Sequence, residues 1–236
     1  MMRIDYEPAL IEATVLQCVG DRQDLHAERD PLYVIADAEA REAAFVALHA
    51  RWFQRLGCDR PLHEALAERP EVAGACGRCV VARAGSTRAE AADLLMAPPV
   101  RPTLLVRITP ARLGVRERTL AFLRPELLHV ADMLDPDFGY EPRLASTHDP
   151  ALREGRRAER YRVLWDTYVD GRLVAGARAP ATLRGERLAE FRQAFPELGQ
   201  RAEAAFQRFF DARRRTHAEL VAFATNADEG ARLAPA

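Results

Sequence analysis

The segment Arg124-Pro125-Glu126-Leu127-Leu128-His129 holds the side chains best suited to chemistry in this chain. Glu126 and His129 stand three residues apart, an offset that puts both on one side of a helix. In the pattern His-Glu-x-x-His, two histidines one turn apart bind zinc, and the glutamate takes a proton from the metal-bound water. Glu126 and His129 fill the places of the base and the second ligand, whereas Pro125 stands where the first histidine belongs. Proline has no side-chain donor atom. A zinc site here would need a substitute for that ligand as well as a third one.

The elements that must position this pair follow from periodicity and end signals. Asp37 is an N-cap for a helix reaching Leu56, with Gly57 as its stop. Phe45, Leu48, Trp52, Phe53 and Leu56 form its apolar stripe, and His49 on that stripe reads as a hydrogen-bonded core residue. A short helix is expected over 61–69 and a strand over 79–84. Ser86 or Thr87 would cap a helix over 88–95, with Leu94, Leu95 and Met96 extended as the alternative. Pro98-Pro99 breaks the chain before the clearest strand, 102–109. Residues 115–134 are helical by pattern, but an interior proline costs about 3 kcal/mol in a regular helix. The expectation is that one helix ends near Leu123 and a second starts with Pro125 at its first position. A loop over 135–142 precedes a helix over 151–169, capped by Asp149-Pro150 and stopped by Asp170-Gly171. Three more helices follow, over 183–195, 197–212 and 218–223, the last with a Thr216/Glu219 capping box. Phe191, Phe195, Phe206, Phe209 and Phe210 are spaced for helix packing and read as core.

Between residues 94 and 171 the chain resembles the zincin metallopeptidase superfamily. More narrowly, it is similar to uncharacterised bacterial zincin-like proteins whose helix reads Arg-His-Glu-Leu-Leu-His-Val-Ala-Asp-Met-Leu-Asp-Pro. The strand over 102–109, just upstream of the motif, agrees with that resemblance. It implies that Glu126 is the general base and His129 a zinc ligand. Asp135 stands six residues after His129, where one branch places its third ligand, but Asp132 replaces that branch's glycine and no methionine follows Met133. A ligand from the later helix fits better: Glu159 and Asp166 share a face there, and Asp166 is the favoured candidate beside Trp165. The competing reading of Asp166 is an ordinary i, i+4 pair with Arg162. The implied fold is α+β, a mostly helical zincin-like domain with a small sheet and additional N- and C-terminal helices. It would form one domain over 1–236, with an N-terminal part to 93, a motif-bearing core over 94–171 and C-terminal helices beyond. The implied function is a degenerate zinc site, with zinc weakened or absent because of Pro125, in a protein that binds a peptide or protein in its cleft. The alternative is an active zinc hydrolase that keeps Glu126 as base and His129 as ligand and recruits Asp166 or Asp132.

Cys58-x4-His63 followed by Cys76-Gly77-Arg78-Cys79 offers a second ligand set for a structural zinc, against a plain reading of four reduced thiols. Every one of the 34 basic residues is arginine, which excludes a lysine Schiff base, a phosphate-loop lysine and a lysine general base. A net charge of −1 gives no global field for nucleic acid or an anionic membrane. The first eight residues carry Asp5 and Glu7 and lack a signal-peptide apolar core, and no apolar run reaches membrane-spanning length. A cytoplasmic protein is the expectation. His26, His63, His148 and His217 fall near turns and helix starts and are assigned no chemistry.

Overall fold

The computed structural model describes residues 2–20, 23–142 and 151–232. The fold is α+β: many helices and one small mixed sheet. In chain order the elements are β1 (Arg3–Tyr6), α1 (Pro8–Val19), α2 (Gln23–Arg29), α3 (Ala38–Arg55), α4 (Arg60–Ala67) and α5 (Pro70–Ala75). Then come β2 (Arg78–Arg83), β3 (Ala91–Ala97), β4 (Val100–Ile108), α6 (Pro110–Leu113) and α7 (Arg116–Leu134). The remainder is α8 (Ala151–Ala175), α9 (Leu183–Ala194), α10 (Ala202–Phe210), α11 (His217–Thr225) and α12 (Ala227–Arg232). The chain divides into two compact units, Met1–Val130 and Ala131–Ala236, a division that falls inside α7 and at neither boundary expected from the sequence.

The sheet belongs to the first unit, in the order β1-β2-β4-β3. β1, β2 and β4 run parallel, and β3 pairs antiparallel with β4 at the edge. Side chains alternate across a pleated strand, so one face of β2 and β4 is apolar and fully covered: Cys79, Val81, Leu104, Val106 and Ile108 are all buried. β3 corrects the helix expected over 88–95. Its alanines favour a helix locally, but Ala91 through Leu95 pair with Thr103 through Arg107 across the Pro98-Pro99 turn. That ladder satisfies backbone groups a free helix would have to satisfy alone. Only a single helical turn, Thr87–Ala89, remains of the expected helix.

α3 follows its signals closely. Asp37 accepts from the Ala40 N–H at 2.7 Å, Leu48, Trp52 and Phe53 are buried, and Gly57 takes the left-handed conformation (φ 68°) that ends the helix. α7 does not: it runs unbroken through Pro125, where two helices were expected. The carbonyl that loses its partner to Pro125 belongs to Ala121, which lies on the exposed side where water can replace the bond.

The second unit packs α9, α10 and α11 around α8. Its core is the expected phenylalanine set: Phe191, Phe195 and Phe206 are fully buried, and Phe209 meets Phe223 edge-on at 4.8 Å. α8 continues through Asp170-Gly171, which was expected to stop it. A Cβ on Gly171 would lie 1.8 Å from the Phe210 carbonyl oxygen, so this glycine serves close helix packing rather than termination. Thr216 and Glu219 form the reciprocal capping box at the start of α11. The expected Asp149-Pro150 cap and His148 lie outside the described residues.

Candidate functional site

Glu126 and His129 lie on α7 in the first unit, both half-buried. One oxygen of the Glu126 carboxylate accepts a hydrogen bond from the backbone N–H of Ala92 at 2.9 Å. Ala92 is itself 6% exposed, and it sits in β3, the edge strand. An edge strand leaves alternate N–H groups without a sheet partner, and Glu126 supplies one of them with an acceptor. The carboxylate in the base position of the motif therefore fastens α7 to the sheet. Two residues earlier, Arg124 fixes the same helix from another side through Glu68 at 2.9 Å.

In the second unit, Asp132 is buried and fully engaged. It accepts from the Trp165 indole N–H at 2.8 Å and from both terminal nitrogens of Arg172, at 2.9 and 2.6 Å. This planar fork is the strongest geometry a carboxylate can find, and it leaves Asp132 to hold α8. Arg172 also stacks over the Tyr168 ring at 4.0 Å. Asp166 takes part in a different network: Arg162 reaches it at 2.7 Å, the i, i+4 pair expected as the competing reading, and Arg187 approaches to 3.6 Å while bonding Asp170 at 2.7 Å. No signal within the sequence singled out Arg172 or Arg187, because their partners lie on other turns and other helices. His217 was likewise passed over. It is 6% exposed, boxed by Phe138, Tyr140 and Tyr161, and one ring nitrogen meets the Tyr161 hydroxyl at 2.7 Å. Burial lowers the His217 pKa, so the ring is held neutral there.

The cysteine set does not assemble as a metal knuckle. Cys58, Cys76 and Cys79 are buried free thiols, and burial pushes Cys58 and Cys79 up to about 12. The thiol beside Cys58 is Cys18, not Cys76. Among the described residues, no three His, Cys, Asp or Glu side chains are grouped so as to hold a metal ion. Of the residues expected at the motif, Glu126 and His129 belong to the first unit and Asp166 to the second. His49 is buried in α3 as expected, and burial lowers its pKa, but its Nε2 has no hydrogen-bond partner among the described residues. The first unit carries a cleft of about 810 Å³ beside β1, to which α3, α4 and α5 contribute walls. No helix among the described residues is long and apolar enough to cross a membrane.

Comparison with protein-family profiles, curated proteins and solved structures finds no match to this chain. What the site can do rests on its own geometry.

Proposed function

We propose that the protein is a non-catalytic binding protein of zincin-like descent, in which Pro125-Glu126-x-x-His129 has passed from chemistry to structure and a cleft holds a peptide or protein segment. The observation that carries this reading is the Glu126–Ala92 bond at 2.9 Å. A general base must be within reach of the water it deprotonates, and its oxygens must be able to accept that proton. Here one of them is committed to an N–H that is always present and never transfers. Pro125 supplies no ligand, and Asp166 is engaged by guanidinium groups. Each of these supports a helix kept for what it fastens.

The test is incubation of the zinc-supplemented protein with a random library of dodecapeptides, followed by mass spectrometry of bound and free fractions. The reading expects a retained, saturable subset and no cleavage products, with Glu126→Gln indistinguishable from the native protein. Cleavage that Glu126→Gln abolishes would overturn the non-catalytic claim, and an empty bound fraction would overturn the binding claim.

A further inference from the structure

The cleft of about 810 Å³ lies within the range of small-ligand sites, and its floor is the apolar face of β1. Met2, just before that strand, and Ile4 and Tyr6 within it alternate along the chain and all line the cleft. Phe53 of α3 stands over Tyr6, edge to face at 5.0 Å, and Leu66 of α4 adds to the apolar wall. Exposed polar side chains, Gln54 and His63, lie along the rim. This is the usual division of a site that takes an apolar body and orients it by a few polar groups.

The two ends of the cleft carry opposite charges. At the Met2 end stands Arg101. Strand register aligns Arg3 with Arg78 and Arg78 with Thr103, and a Cβ on Gly77 would lie 3.2 Å from the Arg101 side chain. At the Tyr6 end stands Asp59: Phe53 packs on Tyr6, and the N–H of Cys58, the residue before Asp59, donates to the Phe53 carbonyl at 3.1 Å. Arg101 is held by carbonyls, Ala75 at 3.1 Å and Gly74, so its position is set without neutralising it. Neither Arg101 nor Asp59 has an ion-pair partner among the described residues, in a chain whose other arginines are widely paired. From Met2 to Tyr6 is four residue steps, roughly 13 Å of strand, which is the length of about four residues of extended peptide.

We propose that this cleft binds short apolar peptides with free termini, about four residues long, with the carboxylate at Arg101 and the ammonium at Asp59. The proposal rests on the peptide-binding reading above and gives it a place and a substrate class. An apolar tetrapeptide covers the Met2-Ile4-Tyr6 floor, and its amides meet Gln54 and His63. A longer chain, or one with blocked ends, loses one or both terminal charges at these positions.

The experiment titrates the native protein by calorimetry at low ionic strength with the tetrapeptide Ala-Leu-Val-Leu, free, C-amidated or N-acetylated. The free peptide should saturate one site, and each blocking group should weaken it about fivefold, the worth of one charge-assisted contact at an exposed end. Arg101→Gln should absorb the amidation effect alone, and Asp59→Asn the acetylation effect alone. Ala67→Trp, at an exposed cleft-lining position, should abolish binding without lowering the melting temperature. Equal binding of free and doubly blocked peptide would overturn this assignment while leaving general peptide binding intact. Absence of saturation by any tetrapeptide, beside a retained subset in the dodecapeptide library, would overturn it in the same way.

Discussion

Replacing Glu126 separates a structural carboxylate from a catalytic one. In Glu126→Ala the Ala92 N–H, in a residue only 6% exposed, loses its acceptor. Hydrogen bonds to a charged group contribute about 1.5–3 kcal/mol net, and a stranded buried donor costs a similar amount. Glu126 is half-buried, which places the loss toward the lower end, and alanine regains a few tenths in helix propensity. The expected destabilisation is about 2 kcal/mol. In Glu126→Gln an amide oxygen can still accept, so only the charge is lost, and the cost should be about 0.5–1 kcal/mol. Urea unfolding followed by tryptophan fluorescence gives both values. Hydrogen exchange adds a local readout: the Ala92 amide should exchange about thirtyfold faster in the alanine variant, 2 kcal/mol in rate units, and much less so in the glutamine variant. An alanine variant as stable as the native protein, with Ala92 exchange unchanged, would refute the reasoning.

Other consequences are equally direct. Gly171→Ala forces a Cβ to 1.8 Å from the Phe210 oxygen and should cost about 3 kcal/mol or more, whereas Gly185→Ala in α9 meets nothing within 4 Å and should stabilise by about 0.5–1 kcal/mol; thermal melts of the two variants check the contrast. Iodoacetamide at pH 8 should label exposed Cys18 readily, while buried Cys58 and Cys79, with thiols near 12, should be labelled only in denaturant, as peptide mapping would show. Burial lowers the pKa of His49 and His217 below the free value of about 6.5, so the unfolded chain binds protons first as pH falls. Their contribution is complete above that value and is lost on descending through the lowered folded values. The drop in urea midpoint between pH 7.5 and pH 5 should therefore be smaller in His49→Leu than in the native protein.

Where the structure follows local signals, the sequence reads well. Asp37 capping α3, the β-branched run of β4 and the Thr216/Glu219 box all act within a few residues of themselves. The differences arise where a distant partner decides. β3 is helical by composition and becomes a strand because β4 returns alongside it. β1 went unread because its partner, β2, begins some 75 residues later, Arg3 pairing with Arg78. Pro125 and Gly171 are breakers by rule, yet one frees a carbonyl on an exposed side and the other admits the Phe210 backbone. The candidate site divides in the same way. The offset of Glu126 and His129 was visible, but the Ala92 N–H that engages Glu126 and the Trp165–Asp132–Arg172 fork connect elements that only folding brings together.

The central claim is that the motif helix no longer holds a catalytic metal. The most direct test is zinc per chain, measured by inductively coupled plasma mass spectrometry on protein dialysed after zinc supplementation, for the native protein and for His129→Ala. The account predicts well below one zinc per chain in the native protein and no change on removing His129. One zinc per chain, lost in His129→Ala, would contradict it.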